Sequence, residues 1–310
     1  MICTVTLNPA LDKTVEIPDL TIDSVNRITT MRTDPGGKGI NVSKVISKLG
    51  GSSVATGILG GDTGNAIRSS LEAMGLENRF RFVKGETRTN LKVIDPVNHT
   101  NTDINEPGIT VSEELLNEFL EEVVGMITSG DIVVLSGSLP KGAPKDTYYT
   151  WVKACREAGA RVILDADGEL LAEGLKASPY LVKPNNHELS GLLGRNLKTP
   201  RELEQAAREL MNRYGIARVV VSMGKEGALY VTGEETVYAE GLKVPVGSTV
   251  GAGDSVVAAL AVAEERGMSL DETVRLSTAT GAANVMCSGT QAAEYEVIEG
   301  LLSRVVFQRL

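Results

Sequence analysis

Four short apolar segments in the middle of the chain constrain its fold more than any other feature. They lie at 132–136, 162–165, 180–183 and 219–222, are rich in β-branched residues, and carry apolar side chains at both odd and even positions. Strands that are covered on both faces of a parallel sheet have this pattern. Helical periods at 146–158, 186–193 and 200–214 alternate with them. The sequence therefore predicts an α/β fold in which helices flank a mainly parallel sheet.

Each of these four segments ends in a polar residue, namely Ser136, Asp165, Lys183 and Ser222. In open α/β sheets the ligand crevice lies outside the carboxyl ends of the parallel strands. Strands often end in polar residues without any functional reason, but four such ends at one edge favour a ligand site there.

Two segments interrupt the alternation, at about 12–34 and 80–106. Both contain strand-like stretches, at 14–17, 26–32, 81–83 and 90–94, and neither has a helical period. We expect these pieces to form one small β-sheet, inserted into a single domain that spans residues 1–310. Such a sheet could act as a lid that excludes water from a reaction, although a subdomain without that role is the alternative.

The charge and the cysteine content narrow the class of protein. A net charge of −9 argues against nucleic acid or an anionic membrane as the main partner. The three cysteines lack metal-type spacing, and the apolar segments are shorter than the ~20 residues that a membrane span needs. The N-terminus does not resemble a signal peptide. These features predict a reduced, cytoplasmic protein.

A glycine-rich turn at 248–254 precedes a predicted helix at 255–263. Successive glycines let backbone N–H groups converge on one point, and a helix N-terminus adds partial positive charge, so the turn can bind an anion. Asp254 closes the turn, and a base beside a phosphate site suggests phosphoryl transfer to a hydroxyl. The alternative is a turn in which Asp254 only caps the helix. The turn matches neither the dinucleotide fingerprint nor the P-loop.

A second glycine-rich segment, at 36–42, opens a predicted helix at 40–49. Here Lys38 offers a charge, and the Asn41 amide can both donate and accept hydrogen bonds. Asp12 follows the first predicted strand, and its carboxylate could accept hydrogen bonds from two sugar hydroxyls. The lid arginines Arg27 and Arg88 could hold a phosphate. The alternatives are that Asp12 is only a turn residue and that Arg27 and Arg88 are solvated surface residues.

Taken together, these residues resemble the ribokinase superfamily of sugar kinases, also called the PfkB family. The C-terminal motif of that family matches 248–254, with Ser248 where Asp is more usual, and its Asn-x-x-Glu element matches 185–188. The resemblance runs from Thr6 to Asn284 and implies a ribokinase-like three-layer sandwich with a mainly parallel central sheet and a small β-sheet lid. Its N-terminal pattern matches Gly36, Gly37, Asn41, Gly50 and Gly60.

Within the family, segments 6–12 and 36–41 look like the phosphosugar branch, and 85–90 and 102–108 resemble the bacterial 1-phosphofructokinases most and the tagatose-6-phosphate kinases next. The resemblance implies ATP-dependent phosphorylation of a ketohexose phosphate, with fructose 1-phosphate favoured over tagatose 6-phosphate or fructose 6-phosphate. A catalytically silent sugar-phosphate sensor on the same fold is the rival hypothesis. A sensor would have lost the base or the anion site, and this sequence retains the base as well as the anion site.

The resemblance also implies a role for each matching residue. Asp254 is the expected catalytic base, and the backbone amides of Gly251, Ala252 and Gly253 complete the anion hole. Mg²⁺ is expected with ATP, held by Glu188 partly through water. The expected substrate-binding residues are Asp12, Arg27, Gly37, Lys38, Asn41, Arg88, Asn90 and Ser138. Of these, Lys38, Arg27, Arg88 and Ser138 are expected at the phosphate that the sugar already bears. The expected nucleotide-binding residues are Lys183, Asn185, Ser222, Gly224, Gly227 and Asn284.

An assembly is suggested by analogy with relatives. Apolar residues of the lid segments occupy both odd and even positions and therefore both faces of the strands. One face of the lid could cover the site while the other packs against an identical lid. The sequence thus favours a homodimer through the lids. The residues in question are Phe80, Phe82, Leu91, Val93 and Ile94.

Overall fold

The computed structural model describes all 310 residues, as fourteen strands and ten α-helices. The strands are β1 (Ile2–Thr6), β2 (Ala10–Glu16), β3 (Thr30–Gly36), β4 (Ser53–Leu59), β5 (Asn78–Phe82), β6 (Arg88–Asp95), β7 (Thr100–Asn105), β8 (Ile132–Ser136), β9 (Arg161–Asp165), β10 (Leu181–Val182), β11 (Arg218–Ser222), β12 (Gly227–Thr232), β13 (Thr236–Glu240) and β14 (Phe307–Arg309). The helices are α1 (Lys38–Lys48), α2 (Gly61–Ala73), α3 (Glu113–Met126), α4 (Thr147–Glu157), α5 (Gly168–Leu175), α6 (Asn186–Leu193), α7 (Pro200–Tyr214), α8 (Ala252–Arg266), α9 (Leu270–Val285) and α10 (Tyr295–Leu302).

The large sheet contains ten strands in the order β14-β13-β12-β11-β10-β9-β8-β1-β4-β5. From β11 to β5 all neighbouring strands are parallel, and β12, β13 and β14 add an antiparallel extension at one edge. The parallel sheet predicted from the four apolar segments is therefore confirmed. The carboxyl ends of the parallel strands share one edge, which is where the ligand crevice was expected.

Two apolar layers sandwich this sheet, because alternate residues of each strand point to opposite faces. Val133 and Leu135 pack with helices α3 to α7, whereas Ile132 and Val134 pack with α1, α8, α9 and α10. All four residues are at most 1% exposed. The predicted helices at 146–158, 186–193 and 200–214 are confirmed as α4, α6 and α7, and the capping box of Thr199 with Glu202 begins α7. None of the helices is long and apolar enough to span a membrane.

A separate four-stranded sheet, which we call the lid, lies in the order β3-β2-β6-β7. Strands β2 and β6 are its parallel central pair, and β3 and β7 are antiparallel edges. The small sheet is confirmed, but the assignment of 81–83 to it is wrong. Strand β5 instead pairs with β4 at the edge of the large sheet, where Phe80 and Phe82 lie. Apolar runs of this length suit either sheet, and pairing with β4 decides the outcome.

Candidate active site

A cavity of about 430 Å³ lies between the lid and the carboxyl edge of the large sheet. Its roof is the polar face of the lid, because residues two apart on a strand share a face. Its floor is formed by the first residues of α1 and α8 and by the loop after β8. The roof residues are Asp12, Thr14, Asn90, Lys92, Asp103 and Asn105, and the floor includes Gly37, Lys38, Asn41, Ser138, Gly251 and Asp254.

The glycine-rich turn forms the start of α8. Gly251 is the N-cap residue and has a φ of 80°, a left-handed conformation that favours glycine. The backbone amides of Gly253 and Asp254 lack a hydrogen-bond acceptor in the chain, as expected for the first turn of a helix. Two free amides and the positive end of the helix dipole therefore make this turn able to bind an anion.

Asp254 is a buried carboxylate of this turn rather than the helix cap. It is the third residue of α8, and its Oδ2 accepts a 2.9 Å hydrogen bond from Nδ2 of Asn41 on α1. Burial and the neighbouring Asp165 raise the pKa of Asp254 to about 6, against the opposing effects of Lys38, Asn41 and Lys183. The cap alternative is thus excluded, and Asp254 has the burial and the raised pKa expected of a general base.

Asp165, at the end of β9, holds two lysines next to Asp254. Its Oδ2 lies 3.2 Å from Nζ of Lys38 and its Oδ1 lies 3.3 Å from Nζ of Lys183. Burial alone would raise the pKa of Asp165, but the two ammonium groups outweigh it and the pKa is lowered. Burial alone would lower the pKa of Lys38, but the carboxylates of Asp165, Asp254 and Glu188 outweigh it and the pKa is raised. A compact pair of cations therefore faces the anion-binding turn.

On the lid side, Asp12 and Asn90 form the central pair of the roof. Nδ2 of Asn90 donates to Oδ1 of Asp12 over 3.0 Å, and burial raises the pKa of Asp12. A Cβ at Gly36 would overlap the Asp12 carboxylate, so only glycine leaves room for it. The oxygens Oδ1 of Asn41 and Oδ1 of Asn90 are buried without a hydrogen-bond partner. They are acceptors available to ligand hydroxyls.

Arg88 and Ser138 both line the cavity and lie next to each other. Nη2 of Arg88 donates to the backbone oxygen of Asn8 at 2.9 Å and lies 3.5 Å from Oγ of Ser138. The Asn8 side chain also donates to Oγ of Ser138 at 3.3 Å. Nε of Arg88 has no partner. A guanidinium and a hydroxyl brought together in this way suit a phosphate.

The predicted nucleotide-binding residues lie beyond the glycine-rich turn and do not line the cavity. A Cβ at Gly253 would be 3.4 Å from Nζ of Lys183, and one at Gly251 would be 3.4 Å from Nδ2 of Asn284. Asn185 and Ser222 are joined by a parallel β-bridge, and the 3₁₀ turn Gly224–Glu226 follows. Gly224 and Gly227 have positive φ angles of 57° and 105°. The nucleotide role of this group stays a prediction.

The magnesium prediction concerns Glu188, in the first turn of α6. Its Oε2 accepts from the backbone N–H of Asn185 at 2.8 Å, and Oδ1 of Asn185 accepts from the amides of His187 and Glu188. This capping box engages one oxygen of Glu188. The structure contains no cluster of three or more His, Cys, Asp or Glu side chains suited to a metal ion. One carboxylate with a free oxygen fits Mg²⁺ that keeps several waters and binds mainly through nucleotide phosphates.

Comparison with known proteins decides the family. The pattern of the pfkB family of carbohydrate kinases matches residues 5–296. The chain belongs to the PfkB family. It is therefore a phosphotransferase with an alcohol acceptor, and the sugar-kinase resemblance of the two glycine-rich motifs is confirmed.

Named PfkB relatives cover nearly the whole chain. The 1-phosphofructokinase of Bacillus subtilis is 38% identical over 310 residues, which is 100% of both chains. That of Rhodobacter capsulatus is 41% identical over 279 residues, covering 90% of this chain and 88% of the relative. The chain is thus similar to 1-phosphofructokinases along its length.

Solved PfkB structures show the same fold. Phosphofructokinase-2 from Escherichia coli, solved with potassium, has a TM-score of 0.93 at 36% identity and 98% coverage of both chains. The same enzyme with fructose-6-phosphate has a TM-score of 0.91 at 34% identity and the same coverage. Ribokinase from Thermotoga maritima, at 24% identity, covers 98% of this chain and 99% of its own with a TM-score of 0.80. The predicted ribokinase-like sandwich is confirmed.

The structure brings most predicted substrate residues to one cavity, with one exception. Arg27 lies in the exposed loop between β2 and β3 and does not line the cavity. Sequence reasoning missed Lys92, Asp103 and Asn105, which face the cavity from the lid. Period-two alternation after Arg88 could have indicated Lys92, since it falls on the same strand face as Asn90.

Proposed function

We propose that this PfkB protein transfers the γ-phosphoryl group of ATP to the C6 hydroxyl of fructose 1-phosphate and yields fructose 1,6-bisphosphate. The similarity to 1-phosphofructokinases, at 38% and 41% identity over most of the chain, supports the substrate. The observation that carries the proposal is the layout of one cavity. A buried base stands beside free helix amides, and Arg88 with Ser138 lines the same cavity.

The substrate fits this layout because fructose 1-phosphate has an anionic end and a hydroxyl end. Arg88 and Ser138 would hold its phosphate. Asp12 and the free oxygens of Asn41 and Asn90 would accept hydrogen bonds from the ring hydroxyls. The C6 hydroxyl would then lie beside Asp254.

In the reaction, the oxygen of the C6 hydroxyl attacks the γ-phosphorus of ATP. Asp254 takes the proton of that hydroxyl, and ADP leaves. The amides of Gly253 and Asp254 donate to the oxygens of the transferring group, where charge accumulates. Lys38 and Lys183, held by Asp165, add positive charge on the same side. Glu188 would hold Mg²⁺ through water, and that ion would neutralise charge on the nucleotide phosphates.

The lid would complete the site by excluding water from the phosphoryl group, which would otherwise be hydrolysed. Its outer face has exposed apolar side chains, among them Met31 at 59% and Ile104 at 56% exposure. They support a homodimer through the lids. A tetrameric inhibited form is known for E. coli phosphofructokinase-2, which is 35% identical with a TM-score of 0.91 and 98% coverage of both chains.

A coupled ADP-release assay tests the function. The purified protein is given ATP, Mg²⁺ and one of four acceptors: fructose 1-phosphate, fructose 6-phosphate, tagatose 6-phosphate or fructose. We expect the highest kcat/KM with fructose 1-phosphate. A higher value with fructose 6-phosphate or tagatose 6-phosphate would reassign the substrate, and binding of a sugar phosphate without ADP release would favour the sensor hypothesis.

A further inference from the structure

Strand β3 of the lid contacts the loop that follows α9 through Arg32. Nη2 of Arg32 donates to the backbone oxygen of Ser288 over 3.0 Å, and its Nε is 2.7 Å from Oδ2 of Asp34, which fixes the guanidinium plane. Gly289 has a φ of 62°, and a Cβ there would overlap Nη2 of Arg32. This contact therefore depends on a glycine in the loop.

A second contact joins the same two elements through a buried lysine. Nζ of Lys44, on α1, lies 3.0 Å from the backbone oxygen of Pro35 in β3 and 3.0 Å from that of Thr290. Lys44 is 8% exposed, and the hydrogen-bond partners of its ammonium group are backbone oxygens rather than a carboxylate. A buried ammonium without a carboxylate partner is costly unless its hydrogen bonds are satisfied. Its two acceptors belong to the lid and to the loop, so its position depends on both.

The loop at 288–290 also packs against the anion-binding turn. A Cβ at Gly251 would be 3.9 Å from Cα of Thr290 and 3.4 Å from Nδ2 of Asn284. The amides of Gly247 and Ser248 both donate to the backbone oxygen of Val285, at 2.8 and 3.1 Å. The loop therefore touches the lid on one side and the expected nucleotide side of the site on the other.

We propose that Arg32 and Lys44 are positioning residues that couple closure of the lid to nucleotide binding through the loop at 288–290, called here the coupling loop. The inference rests on the proposed kinase function. A nucleotide that orders the coupling loop favours the closed lid, and a sugar phosphate that closes the lid favours the nucleotide. Linkage requires the two effects on affinity to be equal.

Hydrogen exchange on the full chain tests the coupling without any sugar. Adding Mg²⁺ and a non-hydrolysable ATP analogue should slow amide exchange in residues 30–36 of the unaltered protein. In Arg32→Ala this protection should be lost, while exchange in α6 still slows. Lys13→Ala, which removes a cation from the other face of β2, is the matched control and should keep the protection. Equal protection of 30–36 in Arg32→Ala and the unaltered protein would overturn the proposal.

Calorimetry measures the same coupling as an affinity ratio. The Kd of the ATP analogue is measured with and without the sugar phosphate that the protein turns over, and we expect a ratio between about 5 and 150. In Arg32→Ala the ratio should fall below about 2 with little change in the Kd of the analogue alone. Lys44→Met should lower this ratio in the same way, whereas Lys44→Arg, which keeps the charge, should have a ratio close to that of the unaltered protein. An unchanged ratio in Arg32→Ala contradicts the coupling and leaves the kinase function standing, whereas absence of turnover with every sugar phosphate contradicts the function alone.

Discussion

Asn41 donates its side-chain amide to the Asp254 carboxylate over 2.9 Å, which joins two helix starts that are 213 residues apart in the chain. The bond uses Oδ2 of Asp254 and leaves its other oxygen facing the cavity. It also leaves Oδ1 of Asn41 unpartnered. One asparagine therefore orients the expected base and offers an acceptor to the substrate.

Asp254→Asn should lower kcat by ~10²–10⁴-fold, because the amide cannot accept the proton of the hydroxyl. The KM for both substrates should change little, since size and hydrogen bonding to Asn41 are retained. Steady-state kinetics with fructose 1-phosphate measures this. Asp62→Asn, an equivalent change in the exposed first turn of α2, should have no effect. A kcat near that of the unaltered enzyme would remove Asp254 from its role.

The raised pKa of Asp254, about 6, predicts how activity depends on pH. The base works when deprotonated, so kcat/KM should fall tenfold per pH unit below about pH 6. Asp165→Asn removes the carboxylate that raises this pKa and frees Lys38 and Lys183 to lower it. Its acidic limb should therefore lie at lower pH, whatever its effect on kcat. A limb that stays in place would show that another group controls it.

The same pKa predicts a stability difference with a defined sign. Its pKa of about 6 in the folded protein exceeds the ordinary aspartate value of 3.8, so the native state binds more protons between those values and the contribution of Asp254 to stability falls as pH rises through them. At pH 8 Asp254→Asn should be more stable than the unaltered protein, by at most about 3 kcal/mol. The difference should vanish near pH 3, where Asp254 is protonated in both states. Thermal unfolding at both pH values measures it.

Arg88→Ala should raise the KM for fructose 1-phosphate about ten- to a hundredfold while the KM for ATP changes little. A charge-assisted contact to phosphate contributes ~1.5–3 kcal/mol, which corresponds to this range. Arg201→Ala, at an exposed position in α7, is the control. Equal losses for the two substrates would indicate that Arg88 supports the fold of the lid rather than the phosphate.

Gly36→Ala should raise the KM for the sugar phosphate, because the new methyl group would displace the Asp12 carboxylate at the centre of the roof. Gly191→Ala is a matched control, since no atom lies within 4 Å of its Cβ position in α6. That control should remain active and gain roughly 0.5–1 kcal/mol in stability, as Ala favours helices over Gly. Kinetics and thermal unfolding of both variants distinguish a local clash from general sensitivity to alanine.

Light scattering at micromolar concentration tests the assembly. The exposed apolar residues Met31 and Ile104 lie on the outer face of the lid, so we expect a mass near twice the 32.9 kDa of one chain. Met31→Lys should shift the protein towards the monomer. A fully active monomer before substitution would contradict the dimer.

The sequence predicted the parts of this molecule that depend on local pattern. The parallel strands were recognisable because both faces are apolar, as at 132–136. The anion-binding turn was recognisable because Gly251 and Gly253 come just before the apolar helical run at 255–263. The prediction failed where the structure depends on the pairing of strands that are far apart in the chain. Phe80 has the same local appearance in either sheet, and its place follows from the register of β5 with β4.

The site shows the same division. Arg88 and Ser138 were grouped only through the family resemblance, because they are 50 residues apart in the chain and their contact depends on where β6 lies over the large sheet. Lys92 was missed because a lysine in a strand is usually solvated, and only the pairing with β7 places it opposite Asp103, with Nζ 3.6 Å from Oδ1. Lys44 gave no signal either, since its partners are backbone oxygens, which carry no side-chain identity.

The roof of the cavity is formed by strands of the lid, whereas its floor is formed by the starts of α1 and α8 and the loop after β8, so the roof positions can be substituted without changing the floor. Substitutions at 12, 14, 90, 92, 103 and 105 alter the surface that meets the sugar, yet none of these positions is in α8 or at the carboxyl end of β9. A chimaera that takes its lid strands from a relative with another acceptor would therefore exchange selectivity and keep the same phosphate-transfer apparatus. Diversification by exchange of one small sheet follows directly from this arrangement.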